Sequence, residues 1–242
     1  MKRTPHRTYY TRNLPHYQPV DATFSVAFRL AGSLPVQVTA MMKQERKTAE
    51  RRFAGIRNLQ KRYAEYHEYQ RQYFEKFDSL LDGTTAGPRW LADDRIAAIV
   101  SDSLHFLDQV RWDLFCFCIM PNHVHLVCAM LPAAVQGRAK LLANDAETMR
   151  QGHDSLGNGG WNHGILTDQL QSTKKFSARK SNVVLGRSGA FWHRESYDHV
   201  IRNGEELERT LWYIVNNPVK AGLAATWKDW KWTYVKEGLL DR

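Results

Sequence analysis

The sequence predicts an α+β protein, and three observations carry that expectation. Two β-prone runs, 113–119 and 123–130, flank the turn pair Pro121-Asn122, so they read as a hairpin. A third run, 22–30, sets Phe24, Val26 and Phe28 at alternate positions, the period of a strand. Long segments elsewhere, above all 36–81, repeat their apolar residues at helical spacing instead.

Taken in order, residues 1–20 are polar and carry Pro5, Pro15 and Pro19, which predicts an extended arm. The strand 22–30 ends at Gly32-Ser33-Leu34-Pro35. In the helical stretch that follows, Lys43 to Lys76 holds ten Lys/Arg and five Glu, a net charge of +5. Tyr63, Tyr66, Tyr69, Tyr73 and Phe77 form one stripe, a pattern that is more often a packing seam than a base-stacking face. The basic residues on its other faces either follow a nucleic-acid backbone or are simply solvated, and the sequence leaves both open. Gly83 to Pro88 breaks the chain. Asp93 or Asp94 then starts a helix to about Asp108, with Ile96, Val100, Leu104 and Leu107 on one side.

After the hairpin, residues 132–165 are small, polar and Gly-rich, which predicts a flexible loop. A second basic helix spans about 166–184 and stops at Gly186-Arg187-Ser188-Gly189, and a short strand is expected within 191–201. Gly204-Glu205-Glu206 opens a helix with acidic residues in its first turn, which suits the helix dipole. Pro218 disfavours helical geometry at Asn217, so this helix should stop there or just before. Tyr213 and Asn217, four residues apart, would share a face at its final turn.

The 242 residues suffice for one large domain or two small ones. A formal charge of +9 favours a polyanionic partner, most commonly nucleic acid. Three cysteines, Cys116, Cys118 and Cys128, argue against a disulfide framework and for a reducing compartment. Cys116 and Cys118 lack a matching second pair for zinc, so buried strand cysteines are the better reading. The basic N-terminus is followed by no apolar run, and no run is long enough to span a membrane. A cytoplasmic protein is expected.

His123-Val124-His125 is the most informative motif. Alternation puts both imidazoles on one face of a strand, where they can hold a divalent metal. Paired histidines alone also occur as ordinary surface or core residues, so the assignment needs support from elsewhere in the chain.

That support is a resemblance. Pro121 to Val127 (PNHVHLV), with Tyr213-Ile-Val-Asn-Asn217-Pro218-Val219-Lys220-Ala221-Gly222-Leu223 some ninety residues later, resembles the REP-associated tyrosine transposases, single-tyrosine members of the His-hydrophobic-His transposases. Arg194 to Arg202, the Trp-rich segment Trp227 to Tyr234, and Leu14 to Pro19 match the same pattern, so the likeness covers most of 12–235. It implies a single transposase domain over 1–242 with a ferredoxin-like core, its antiparallel sheet flanked by helices. The basic helical segment at about 43–80 and the loop at about 132–165 look like expansions of the compact pattern.

The resemblance further implies a metal-dependent enzyme that cleaves and rejoins single-stranded DNA at palindromic repeat hairpins through a 5′-phosphotyrosine. Tyr213 would be the nucleophile, with His123 and His125 binding Mg²⁺ or Mn²⁺ and the Asn217 amide oxygen as third ligand. Imidazole suits Mn²⁺ better, and mixed N/O sites tolerate Mg²⁺. Lys174, Lys175, Arg179, Lys180 and Arg187 are expected to hold the DNA backbone, and Trp192 either stacks on a base or is core. His199 reads as structural or phosphate-facing. The partners are single-stranded or hairpin DNA, not a membrane, and the protein would act as a monomer or homodimer in a prokaryotic cytoplasm, associated with the nucleoid. Two rival readings stand beside this one. Histidine-triad hydrolases need a further histidine where Val127 stands. A hairpin-binding protein that has lost cleavage is the alternative, although all four candidate site residues are present.

Overall fold

A computed structural model describes residues 9–11, 15–19, 21–84, 86–131 and 165–240. The expected loop at 132–165 falls almost wholly outside the described residues, as does much of the N-terminal arm. Within the arm, β1 (Tyr9–Thr11) and β2 (Pro15–Tyr17) pair as a small antiparallel ladder.

The core is an antiparallel sheet of five strands in the order β6-β3-β5-β4-β7, comprising β3 (Thr23–Leu30), β4 (Trp112–Ile119), β5 (His123–Met130), β6 (Trp192–Ile201) and β7 (Thr233–Val235). With its helices it is the α+β architecture that the sequence predicts. The hairpin β4–β5 turns at Pro121-Asn122 as expected. β6 is longer than the short strand expected, because it pairs with β3 from Ile201 back to Trp192.

The sheet has two unlike faces. Val124, Leu126 and Cys128 of β5 join Phe24, Val26 and Phe28 of β3 in an apolar cluster under α3 (Asp94–His105) and α4 (Ile165–Val184). The alternate β5 residues, His123, His125 and Val127, turn to the other face, where Cys116, Cys118 and Met120 meet Leu211, Ile214 and Val215 of α5 (Gly204–Val215). A register shift between Leu114 and Cys116 changes the parity of β4, letting Leu114 and Phe117 both reach the first cluster. All three cysteines are free and buried, as read from the sequence.

The helical stretch 36–81 is two helices, α1 (Val36–Ala54) and α2 (Leu59–Gly83). The break has a local cause. Gly55 caps α1, and the Asn58 side chain accepts a hydrogen bond from the Lys61 N–H to start α2. Phe53 meets the rings of Tyr66 and Tyr69, and Lys76 reaches back to Glu45, so the helices run antiparallel with Tyr66 and Tyr69 in a packing seam. Asp93, the expected helix start, caps α3 by accepting from the Arg95 N–H.

α5 ends at Val215, and Asn217 starts a one-turn helix, α6 (Asn217–Lys220), with Pro218 in its first turn. The proline thus both ends one helix and begins the next, a position where its missing N–H costs nothing. Asn216 alone separates the two helices, and Tyr213 and Asn217 converge on one group.

Candidate metal and tyrosine site

β5 delivers His123 and His125 to the polar face, with their Nε2 atoms 3.0 Å apart and both rings fully buried. Asn122, the turn residue, fixes the first ring. Its Nδ2 donates to the Leu81 carbonyl at 2.8 Å, so its Oδ1 is left to accept from His123 Nδ1, at 2.7 Å. With the proton on Nδ1, His123 Nε2 presents a lone pair. Burial lowers the His123 pKa and holds the ring neutral, the form that binds metal.

The residue that completes this cluster is Asp78 of α2, which the sequence reading missed. Asp78 Oδ1 lies 2.9 Å from His125 Nε2 and 3.3 Å from His123 Nε2. Its other oxygen, Oδ2, accepts hydrogen bonds from the Tyr213 hydroxyl at 2.5 Å and from Asn217 Nδ2 at 2.9 Å. A signal for it existed. Phe74, Asp78 and Leu81 lie at i, i+4 and i+7, so the aspartate interrupts an apolar stripe, and an acidic residue there must find a partner.

Asn217 is in the site, with its Nδ2 3.0 Å from His125 Nε2. As placed, it is the amide nitrogen that faces the ring and the carboxylate, and Asn217 Oδ1 is buried without a hydrogen-bond partner among the described residues. Asp78 Oδ1 is likewise without one. Exchanging the amide oxygen and nitrogen, which differ little in shape, would bring the oxygen to the imidazoles.

The electrostatics follow from burial. Burial opposes ionisation of Asp78, but the two imidazoles and their contacts outweigh it, and the carboxyl stays well below its usual range. Asp82, one turn further along α2 and 4.0 Å from His123 Nε2, is pushed up to about 6 by burial and by the charge of Asp78. Burial and the adjacent Asp78 carboxylate raise the Tyr213 hydroxyl far above an ordinary phenol. Lys220 Nζ sits 3.9 Å from the Tyr213 ring centre. Phe74 of α2 covers the site, against the rings of His125, Tyr197 and Tyr213.

The donor set fits a divalent cation. Two imidazole nitrogens and a carboxylate oxygen converge, with these ligand atoms all within 4.8 Å of one another. Two of the buried oxygens in the cluster lack a proton donor. Such crowding of acceptors is unfavourable unless positive charge sits among them.

The other sequence-predicted residues stand apart. α4 packs on the apolar face, opposite the histidines. Lys174 donates to the carbonyls of His193 and Arg194, and Arg187 bonds Asn182 and Ala190 and stacks over Trp90. Lys175, Arg179 and Lys180 are exposed. Trp192 is buried, with its indole N–H donating to Ser177 Oγ, so it is a core residue. His199 meets Glu206 at 2.8 Å, a structural contact between β6 and α5.

Fold and site together define an α+β protein with a buried aspartate–histidine pair cluster joined to a tyrosine. The chain is similar to a curated protein of Haemophilus influenzae, strain ATCC 51907 / DSM 11121 / KW20 / Rd, described as "Putative REP-associated tyrosine transposase". The two are 26% identical over 127 residues, which is 52% of this chain and 60% of that relative. A solved structure described as a REP-associated tyrosine transposase bound to a REP hairpin aligns over 93% of this chain and 80% of its own, at 13% identity and a TM-score of 0.46. No protein-family model matches the chain. Among the described residues, no helix is long and apolar enough to cross a membrane.

Proposed function

We propose that this chain is a REP-associated tyrosine transposase, a metal-dependent enzyme that cuts and rejoins single-stranded DNA beside palindromic repeat hairpins. One observation carries the reading: the Tyr213 hydroxyl is joined to the histidine pair through a single carboxylate, Asp78. A tyrosine that only filled a core would have no reason to share its hydrogen-bond partner with two potential metal ligands.

In this reading His123 Nε2, His125 Nε2 and Asp78 Oδ1 hold a Mg²⁺ or Mn²⁺ ion, and Asn217 supplies either its amide oxygen to the ion or its amide hydrogens to Asp78. A divalent ion there, when bound, offsets phosphate charge and polarises the phosphorus. Tyr213 attacks through its hydroxyl oxygen. The new bond is tyrosine oxygen to phosphorus, the broken bond is phosphorus to the 3′ oxygen, and a 3′-hydroxyl leaves. Asp78 Oδ2, the acceptor of the phenolic hydrogen bond, orients the tyrosine hydroxyl, and the phenolic proton ends on the departing 3′ oxygen. Lys220, beside the ring, adds positive charge where phosphate would arrive. One phosphoester replaces another, so no nucleotide is consumed. Tyr213 reaches the cluster of its own chain, which supports cleavage within one subunit. The exposed Lys175, Arg179 and Lys180, with Lys174 and Arg187 nearby, would add backbone contacts.

The test is incubation with single-stranded hairpin DNA and Mn²⁺ or Mg²⁺, read on a denaturing gel. A covalent protein–DNA adduct that disappears in Tyr213→Phe is expected. Hairpin binding with no adduct under either metal would instead identify a non-cleaving binding protein. A persistent adduct in Tyr213→Phe would move the nucleophile elsewhere.

A further inference from the structure

The tip of the α1–α2 pair is one of the two most basic stretches of the chain, the other being the 169–194 segment that contains most of α4. Between residues 46 and 62 there are seven Lys/Arg and one acidic residue, Glu50, a local net of +6. Lys47, Arg51, Arg52, Arg57, Lys61 and Arg62 are all exposed. Arg46 takes up Glu50, and Lys61 reaches Glu65 only at 3.9 Å. Lys47, Arg51, Arg57 and Arg62 have no ion-pair partner among the described residues. Like charges gathered this densely repel one another and destabilise the helices that carry them. A solvated helix face normally intersperses acids, as the rest of α2 does with Arg71 between Glu68 and Glu75.

The chemistry of the tip distinguishes its partner. Its aromatic rings with described side chains face inward, Phe53 buried and Tyr66 and Tyr69 in the seam, so none of them offers a platform for unpaired bases. Beside the exposed Leu59 and Glu50, what the tip presents is chiefly guanidinium and ammonium on two helices side by side. Guanidinium matches phosphate through paired hydrogen bonds, and a rigid array of it matches the fixed phosphate spacing of a duplex better than a flexible single strand.

Position makes the match specific. α2 is continuous from the tip to Asp78, so Arg62 stands sixteen residues, or about 24 Å, from the candidate site along one helix. At 3.4 Å per base pair that is about seven pairs of duplex. We infer that the α1–α2 tip is a phosphate-binding arm for double-helical DNA, gripping a hairpin stem about seven base pairs from the strand held at the His123–His125–Asp78 site. This rests on the functional reading above for the location of the second strand, but the binding surface can be tested without any cleavage.

The experiment uses the full chain in EDTA, with fluorescein-labelled DNA hairpins that share one single-stranded flank. One has a stem of about four base pairs and the other about twelve, on either side of the predicted reach. Arg51→Glu/Arg57→Glu/Arg62→Glu is compared with wild type by anisotropy across a salt series, and its fold is checked by circular dichroism. The Gln triple at the same positions removes charge without reversing it. For the long stem, the Glu triple should weaken binding by about 10- to 100-fold and lower the salt slope by about 3, with the Gln triple in between. For the short stem the loss should be at most about 3-fold. An unchanged slope on the long stem, or equal losses on both stems, overturns the arm. Wild type that binds neither hairpin overturns the functional reading itself, which separates the two failures.

Discussion

The two faces of the central sheet obey different rules although they share every strand. On one, Val124 and Leu126 meet Phe24, Val26 and Phe28 under α3 and α4, and the packing is wholly apolar. On the other, His123 and His125 of the same strand meet Asp78, Asn217 and Tyr213. Both sets are almost completely buried except Tyr213, which is half-buried. The first face gains free energy by excluding water. The second buries groups that water would solvate, and it holds together only where each finds a counterpart. A chain that keeps such a face is keeping it for something other than stability.

Neighbouring residues on β5 break that comparison most sharply. His125→Ala should lower adduct formation by at least about 10³-fold, because it removes a ligand nitrogen from the cluster. Leu126→Ala, one residue on, should cost about 2–5 kcal/mol of folding free energy and leave the cleavage rate per folded molecule unchanged. Urea unfolding and the adduct assay on both variants check this. If both lose activity and stability alike, the faces are not separable.

A smaller effect sharpens the role of Asp78. Saturating Mn²⁺ should raise the melting temperature, since at 100 times Kd a native-state ligand stabilises by about 2.7 kcal/mol. Asp78→Asn should weaken the apparent Mn²⁺ affinity by at least about 10-fold, while the metal-free variant melts no lower than wild type. An unchanged Mn²⁺ response would remove Asp78 from the ligand set.

The polar face also carries an acid-sensitive contact away from the cluster. Burial works against ionisation of Glu206, yet hydrogen bonds from Arg202 and His199 prevail, and its pKa falls to about 2 from 4.5. A lowered carboxyl stabilises the fold above its unfolded pKa and loses that contribution as pH falls from about 4.5 through 2. Glu206→Gln should therefore reduce stability at pH 7 and bring the two proteins together by about pH 2, by acid titration of circular dichroism. The effect is smaller than either above, since the contact is partly solvated. The smallest change is expected on the apolar side, where reversing Lys175, Arg179 and Lys180 together should weaken hairpin binding by less than the arm variant does.

The sequence made one half of the site legible and hid the other. His123, His125, Tyr213 and Asn217 could be read because strand alternation and helical spacing are local rules, and a family likeness tied the pairs together. Asp78 could not be placed that way. It reaches the histidines only because α2 crosses the sheet, and the two lie some forty-five residues apart in the chain. β3 pairs with β6 across about 170 residues, so strand order was equally beyond local rules. The break at Gly55–Asn58 is the opposite case, a glycine and a capping asparagine in plain view within a helical charge pattern that obscured them.

Asn122 ties the β4–β5 turn to the carbonyl of Leu81, and Phe74 lies against His125, so α2 is fastened across the cluster at both ends of its last two turns. His123, His125, Asp78 and Asn217 are each at most 1% exposed. Exchange of a bound ion with bulk solution would then run on the clock of helix release rather than of diffusion. A chelator would strip such a centre slowly, at a rate independent of its own concentration, and each strand admitted would be one that had first waited for the helix to let go.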